Sequence, residues 1–144
     1  EVILAATAVL TDAKVAPELE NEARYYRAQS LVKVNQMAHA VADWQSLAQD
    51  TRNAYGAEAK YQLAQYLFDA GKTAEAEKEV LNYLEVSTPH TYWLARSFVL
   101  LSDIYAKLDR KLEARQYLLS LKQNYQADDD IAGMIESRLE KLNE

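Results

Sequence analysis

The 144-residue sequence contains no cysteine, three glycines, two prolines and two histidines. Without cysteine there are no disulfides and no thiolate metal sites, and the redox compartment stays open. So few glycines and prolines leave too little turn chemistry for a β-sandwich or barrel, and no Ser-, Asn- or Gly-rich stretch is long enough to be a linker. Positive charge is also short: 16 Lys and Arg stand against 22 Asp and Glu, a net charge of −6. A nucleic-acid partner requires a clustered basic surface that displaces counterions, so none is expected, and the acid excess serves solubility. No apolar run approaches the roughly 20 residues needed to span a bilayer. The apolar opening follows Glu1 instead of a basic stretch, so it does not read as a signal peptide. A start at Glu in place of Met reads as a processed or excised piece, with targeting information outside it.

What is present is helix-forming sequence of one-domain length, rich in Ala, Leu, Glu, Lys and Gln. The organising stretch runs from Tyr55 to Tyr83, two helical segments broken at Asp69-Ala70-Gly71-Lys72. Ala64 in the first segment and Ala76 in the second are twelve residues apart, a spacing repeated by Ala28 with Ala40 and by Ser102 with Ala114. Corresponding positions lie 36 residues apart between the first two units and 38 between the second and third. A helix pair repeated at this period cannot bury its apolar face alone and calls for a stacked array.

Taken in order, residues 2–14 form an apolar helix stopped by Pro17, in the place of the second helix of an earlier repeat with Ala5 as its small residue. Its missing partner suggests a chain cut from a longer array with an open N-terminal end. Repeat one, residues 21–54, uses helices over 18–34 and 37–50; Ala40, Val41, Trp44 and Leu47 share one face of the second. Repeat two, residues 57–90, uses 57–70 and 73–86. Ser87-Thr88-Pro89 then reads as a helix start, a capping hydroxyl followed by proline. Repeat three, residues 95–128, uses 90–108 and 111–125. Residues 129–144 form a capping helix whose stripe is Ile131, Ile135, Leu139 and Leu142, with Glu136, Arg138, Glu140 and Lys141 on its wet side.

These residues resemble the tetratricopeptide repeat, which wants a small residue in helix A, a large one three further on, Ala in helix B and an apolar residue four after it. The places hold Ala28, Leu31, Ala40 and Trp44; Ala64, Leu67, Ala76 and Val80; and Ser102, Tyr105, Ala114 and Leu118. Arg24 and Lys60 depart from the early bulky position, which Phe98 fits, and the turn proline is present only as Pro17 and Pro89. The resemblance implies an all-α fold: a right-handed α-α superhelix of about eight antiparallel helices. It would hold three full repeats, a leading half-repeat and a C-terminal cap. YGAEAKYQLAQYLFDAGKTAEAE is similar to repeats of bacterial cell-envelope proteins, which places the periplasmic side ahead of the cytoplasm.

By the same resemblance the chain is a scaffold, not an enzyme, that holds a peptide or partner subunit in a concave groove lined by the A helices. Repeat one would present Glu22, Tyr25, Gln29, Val32 and Lys33; repeat two Glu58, Tyr61, Gln65, Phe68 and Asp69; repeat three Arg96, Val99, Asp103, Ala106 and Lys107. Repeats one and two thus share a Glu-Tyr-Gln ladder, aromatic area beside an amide that both donates and accepts. A clamp for a C-terminal carboxylate is not expected, since Tyr25 and Glu22 stand where it needs cations, and Gln29 where it needs Asn. The alternatives are a self-assembly module joined through its open N-terminal end, possible as a homo-oligomer, and a ligand-sensing domain of a larger regulatory protein.

Other candidates have plainer explanations, and no catalytic residue, cofactor or metal is expected. Asp128, Asp129 and Asp130 suit a helix start better than a calcium loop, which spreads its ligands over about twelve residues. His39 and His90 fall at unlike places in different repeats. Ser87, Thr88 and His90 lack nearby oxyanion-hole glycines. Trp44 and Trp93 are core by default, and Glu75, Glu77 and Glu79 lie on a wet face. If the small residues let paired helices approach, Ala64→Leu overpacks that contact and costs about 1–3 kcal/mol, read as a lowered denaturant midpoint.

Overall fold

The computed structural model describes residues 2–11, 16–86 and 88–143. Their regular structure is entirely α-helical, in eight helices and no strand: α1 (Val2–Leu10), α2 (Pro17–Lys33), α3 (Met37–Leu47), α4 (Ala54–Asp69), α5 (Thr73–Glu85), α6 (Thr91–Lys107), α7 (Lys111–Asn124) and α8 (Ile131–Leu142). The all-α expectation holds, because good helix formers fill the chain between its few breakers.

Three helix ends share one device. Asn35, Gly71 and Asp109 have φ of 61°, 81° and 60°, the left-handed region, at positions 36 and 38 residues apart. Gln36, Lys72 and Arg110 each donate the backbone N–H to the carbonyl five residues back, on Leu31 (2.8 Å), Leu67 (2.9 Å) and Tyr105 (2.8 Å). The left-handed residues themselves donate to Val32, Phe68 and Ala106 at 3.0–3.1 Å. This is the Schellman termination, which satisfies carbonyls the helix would leave open. Ala40, Ala76 and Ala114 then donate back to Gln36, Lys72 and Arg110 as the following helix begins.

The described residues divide into two compact units, one of residues 2–63 with 88–89 and one of residues 64–86 with 90–143. In the first, α2 packs against both α1 and α3. Ala28 and Ala40 have no exposed surface, and Trp44 and Leu47 close the core beside them. One charged group belongs to this interior: Asp43 of α3, 2% exposed, accepts from Arg27 Nε at 2.8 Å and from Arg27 Nη2. Arg27 Nη1 also donates to Thr7 Oγ1 of α1 at 3.2 Å, so one guanidinium joins three helices. Both Asp43 oxygens are thereby matched by a fork of donors, the condition under which a buried carboxylate is tolerated.

In the second unit α6 packs against α5, α7 and α8, and α7 packs against α8. Leu100, Leu101 and Ile104 of α6 meet in this core with Leu118, Ile131 and Ile135, all essentially without exposed surface. Ala64, Ala76, Ser102 and Ala114, the small residues of the repeat pattern, are buried as well. Of the expected α8 stripe, Ile131, Ile135 and Leu142 are buried and Leu139 is half-buried.

Some boundaries differ from the sequence expectation for local reasons. Pro17 does not end the first helix; it opens α2 at a position where its missing N–H costs nothing. Residues 12–14 of the expected first helix, and Ser87, lie outside the described residues. Thr88 does not cap α6: its Oγ1 donates to the Thr51 carbonyl at 2.7 Å, and His90 stands at the N-cap without a side-chain capping bond. Asp129 fills the role expected of the acidic triplet, its Oδ1 accepting from Ile131 N at 2.9 Å. Near residue 56 the helix starts earlier than expected. Asn53 Oδ1 accepts from Tyr55 N (2.8 Å) and Gly56 N (3.4 Å), and α4 runs from Ala54 through Gly56. A Cβ on Gly56 would stand 1.9 Å from the Asp50 carbonyl oxygen and 2.5 Å from that of Leu47. Only glycine allows so close a backbone approach. Gly56→Ala must therefore shift this turn, and we expect it to lower stability by about 1–3 kcal/mol in urea unfolding.

Candidate partner-binding cleft

Successive turns of α2 place Tyr25, Gln29, Val32 and Lys33 along one side of the helix. The same cleft of the first unit takes Glu58, Ala59 and Gln62 from α4, with Met37 and Trp44 of α3 as further apolar lining. Its volume is about 330 Å³, the low end of the range for small-molecule pockets. Five of the fifteen residues expected to line a groove, Tyr25, Gln29, Val32, Lys33 and Glu58, meet here.

The polar groups form a chain. Gln29 Nε2 donates to Tyr25 Oη at 2.8 Å, and Tyr25 Oη donates to Glu58 Oε1 at 3.0 Å. The Tyr25 ring lies between two others, its centroid 4.5 Å from that of Tyr55 and 5.3 Å from that of Tyr26. Burial, the bond to Glu58 and that carboxylate's charge together hold the Tyr25 phenol well above its ordinary value. It is a neutral donor throughout the physiological range. Lys33 is exposed and has no ion pair among the described residues. The cleft therefore combines an apolar floor, two amides and one uncommitted cation.

The other expected contacts are placed elsewhere. Glu22 lines a separate groove of about 470 Å³ on the α1–α2 face, beside Val2, Leu19 and Tyr26. Tyr61, the second tyrosine of the expected ladder, is 5% exposed. Its ring belongs to the core of the first unit, and it is not among the residues that line this cleft. Val99 is buried too. In the second unit Gln65 Nε2 donates to Asp69 Oδ1 at 2.8 Å, and the ammonium of Lys107 stands 5.8 Å from the Phe68 ring centroid. Arg96 Nη1 donates to Tyr92 Oη at 3.0 Å, and that hydroxyl donates to Asp130. Asp103 accepts from Arg138 Nε and Nη2, each at 3.2 Å.

Met37, Ala59 and Gln62 were not among the sequence candidates, and Trp44 was assigned to the core alone. At 6% exposure it is core, yet it also lines the cleft. The available signal was its place on the α3 face that follows Met37, but periodicity does not show where a core residue reaches an opening. Glu77, expected on a wet face, lies 3.7 Å from Arg110, and after burial its carboxylate is the main cause that raises the Tyr105 phenol above its ordinary value. Among the described residues no cluster of His, Cys, Asp and Glu could hold a metal ion, and no helix is long and apolar enough to cross a membrane. Comparison with known proteins matches no family model, no curated protein and no solved structure.

The Tyr25 phenol offers a direct check on the hydrogen-bond chain. Its raised value means that the protonated form is favoured by folding, a contribution complete below the ordinary tyrosine range near pH 10 and lost as pH climbs through the folded value. In Glu58→Gln the burial contribution stays while the carboxylate's bond and charge go. The Tyr25 ring resonance, followed by carbon-13 NMR, is then expected to titrate earlier than in the parent chain, though still later than an exposed tyrosine.

Proposed function

We propose that the chain is a protein-interaction scaffold of the tetratricopeptide type, a right-handed α-α superhelix that binds a partner's peptide segment. Three observations support the architecture: the left-handed turns at Asn35, Gly71 and Asp109, their spacing of 36 and 38 residues, and the burial of a small residue on both sides of each turn. A two-residue reversal brings paired helices side by side, and small side chains let them approach.

The observation that carries the binding reading is the convergence of Tyr25, Gln29, Lys33 and Glu58 on one apolar-floored cleft. An extended segment places one side chain against Val32, Met37 and Trp44. Gln29 and Gln62 offer donors and acceptors to its backbone, and Lys33 meets a carboxylate. The rigid aromatic group at Tyr25 supplies contact area at small entropic cost. By its similarity to envelope repeats, the partner is sought first on the periplasmic side of a bacterial envelope. No chemistry is assigned to the cleft: its one strongly shifted group, the Tyr25 phenol, is moved away from the pH at which a general base works.

A second reading has its own observation. Val2, Leu19 and Tyr26 are 49%, 46% and 44% exposed along the α1–α2 groove, and an apolar surface of this kind favours burial against another molecule. Self-assembly through that face would appear in light scattering as mass that grows with concentration.

For the leading reading, a photo-cross-linking residue replaces Gln62, and capture is carried out from separate envelope and cytosolic lysates. The expected product is one envelope protein, lost when Tyr25→Ala and Lys33→Glu are combined. Capture that ignores both substitutions, or cross-links confined to copies of the same chain, would sink the cleft as a partner site.

A further inference from the structure

The second unit contains a small cavity, about 130 Å³, which the peptide-binding proposal leaves unused. It is lined by Ser102, Asp103 and Ala106 of α6, Lys111 of α7, and Arg138, Lys141 and Leu142 of α8; the Ser102 hydroxyl donates to the Val99 carbonyl at 2.7 Å. In a chain of net charge −6, this cavity collects three cations against one carboxylate. The carboxylate is already spent. Asp103 Oδ1 accepts from Arg138 Nε and Oδ2 from Arg138 Nη2, each at 3.2 Å. That side-on pairing fixes the guanidinium plane and leaves Nη1 without a partner among the described residues. Lys111 and Lys141 have no ion pair among the described residues.

We propose that this cavity binds a phosphate oxyanion, held by Lys111, Lys141 and the Nη1 edge of Arg138, with Asp103 as the residue that positions the arginine. Charge and geometry select the ligand. Asp103 takes the side-on fork of Arg138, so the donors left over are the two N–H groups of Nη1 and the second N–H of Nη2. What remains is one donor edge and two ammonium groups from separate helices, an arrangement that matches oxygens pointing in several directions, as they do in a tetrahedral anion. Ammonium groups act here as point charges, the usual role of lysine at phosphate. The volume admits one such group, and the Ala106 and Leu142 side chains bound it without offering an acceptor that would repel it. The phosphate is either the free ion or the end of a phosphomonoester, and the cavity's opening decides between them.

The test is a nitrogen-15 NMR titration of the full chain at fixed ionic strength and pH 7.5, with inorganic phosphate, phenyl phosphate and acetate as probes. Saturable shifts at the Ala106 and Lys141 amides with phosphate, and at least a tenfold weaker response to acetate, are expected. Lys111→Gln with Lys141→Gln removes two exposed side chains, so the remaining spectrum stays that of the folded parent while phosphate binding weakens at least tenfold. Lys33→Gln with Lys60→Gln, the same charge change in the first unit, leaves it unaltered. Asp103→Asn makes the cavity more positive yet frees Arg138; weaker binding marks Asp103 as positioning, and tighter binding overturns that role. Phenyl phosphate that saturates the same amides assigns an esterified group, whereas its exclusion assigns the free ion. Shifts that stay linear in phosphate, match those of acetate, or fall equally with the first-unit pair would overturn the site.

Discussion

A chain that reverses direction in the two or three residues after a helix has little room between the helices it joins, and much of this structure follows from that constraint. The reversal is made the same way at Asn35, Gly71 and Asp109, by a left-handed residue whose neighbour closes a bond to the carbonyl five back. The close approach then admits only small side chains near the turn. Ala28, Ala40, Ala64, Ala76, Ser102 and Ala114 are all buried to 2% exposure or less. Only one of the three turns uses glycine; Asn35 and Asp109 accept a modest conformational cost, which short polar side chains bear better than others.

Where a polar group does enter the interior, its partner determines its use. Asp43 is matched on both oxygens by Arg27 and so serves as a structural tie among α1, α2 and α3. Glu58, nearer the surface, accepts from Tyr25 and orients a ring at the edge of the cleft. Asp103 orients Arg138 in the same manner in the second unit. In each case an anion holds a large donor in place. What distinguishes the two candidate binding regions is the cation left over beside the pair, Lys33 in one and Lys111 with Lys141 in the other.

Much of the local structure was legible from residue order. Helix content, the 36- and 38-residue phase, the burial of the small residues and the α8 stripe all rest on neighbours three or four positions apart, and such neighbours share a helical face whatever else surrounds them. The candidate site was only partly legible. Tyr25 and Tyr61 lie 36 residues apart at corresponding places of the sequence pattern, yet Tyr25 lines a cleft and Tyr61 is buried in the core. Periodicity says which face turns inward. It does not say where that face opens.

The sequence by itself determined that this protein is built of helices, where they break and which of their residues are too small to keep neighbours apart. Those properties are set by backbone preference and by spacing along a single helix. The tertiary structure alone decided that Gly56 must lie against the carbonyls of Leu47 and Asp50, and that Thr88 would bond to Thr51 instead of capping α6. It also decided that Tyr25, Lys33, Met37 and Glu58 would share one cleft. Each of these depends on atoms brought together from separate segments, and close packing gives such atoms partners that no local pattern encodes.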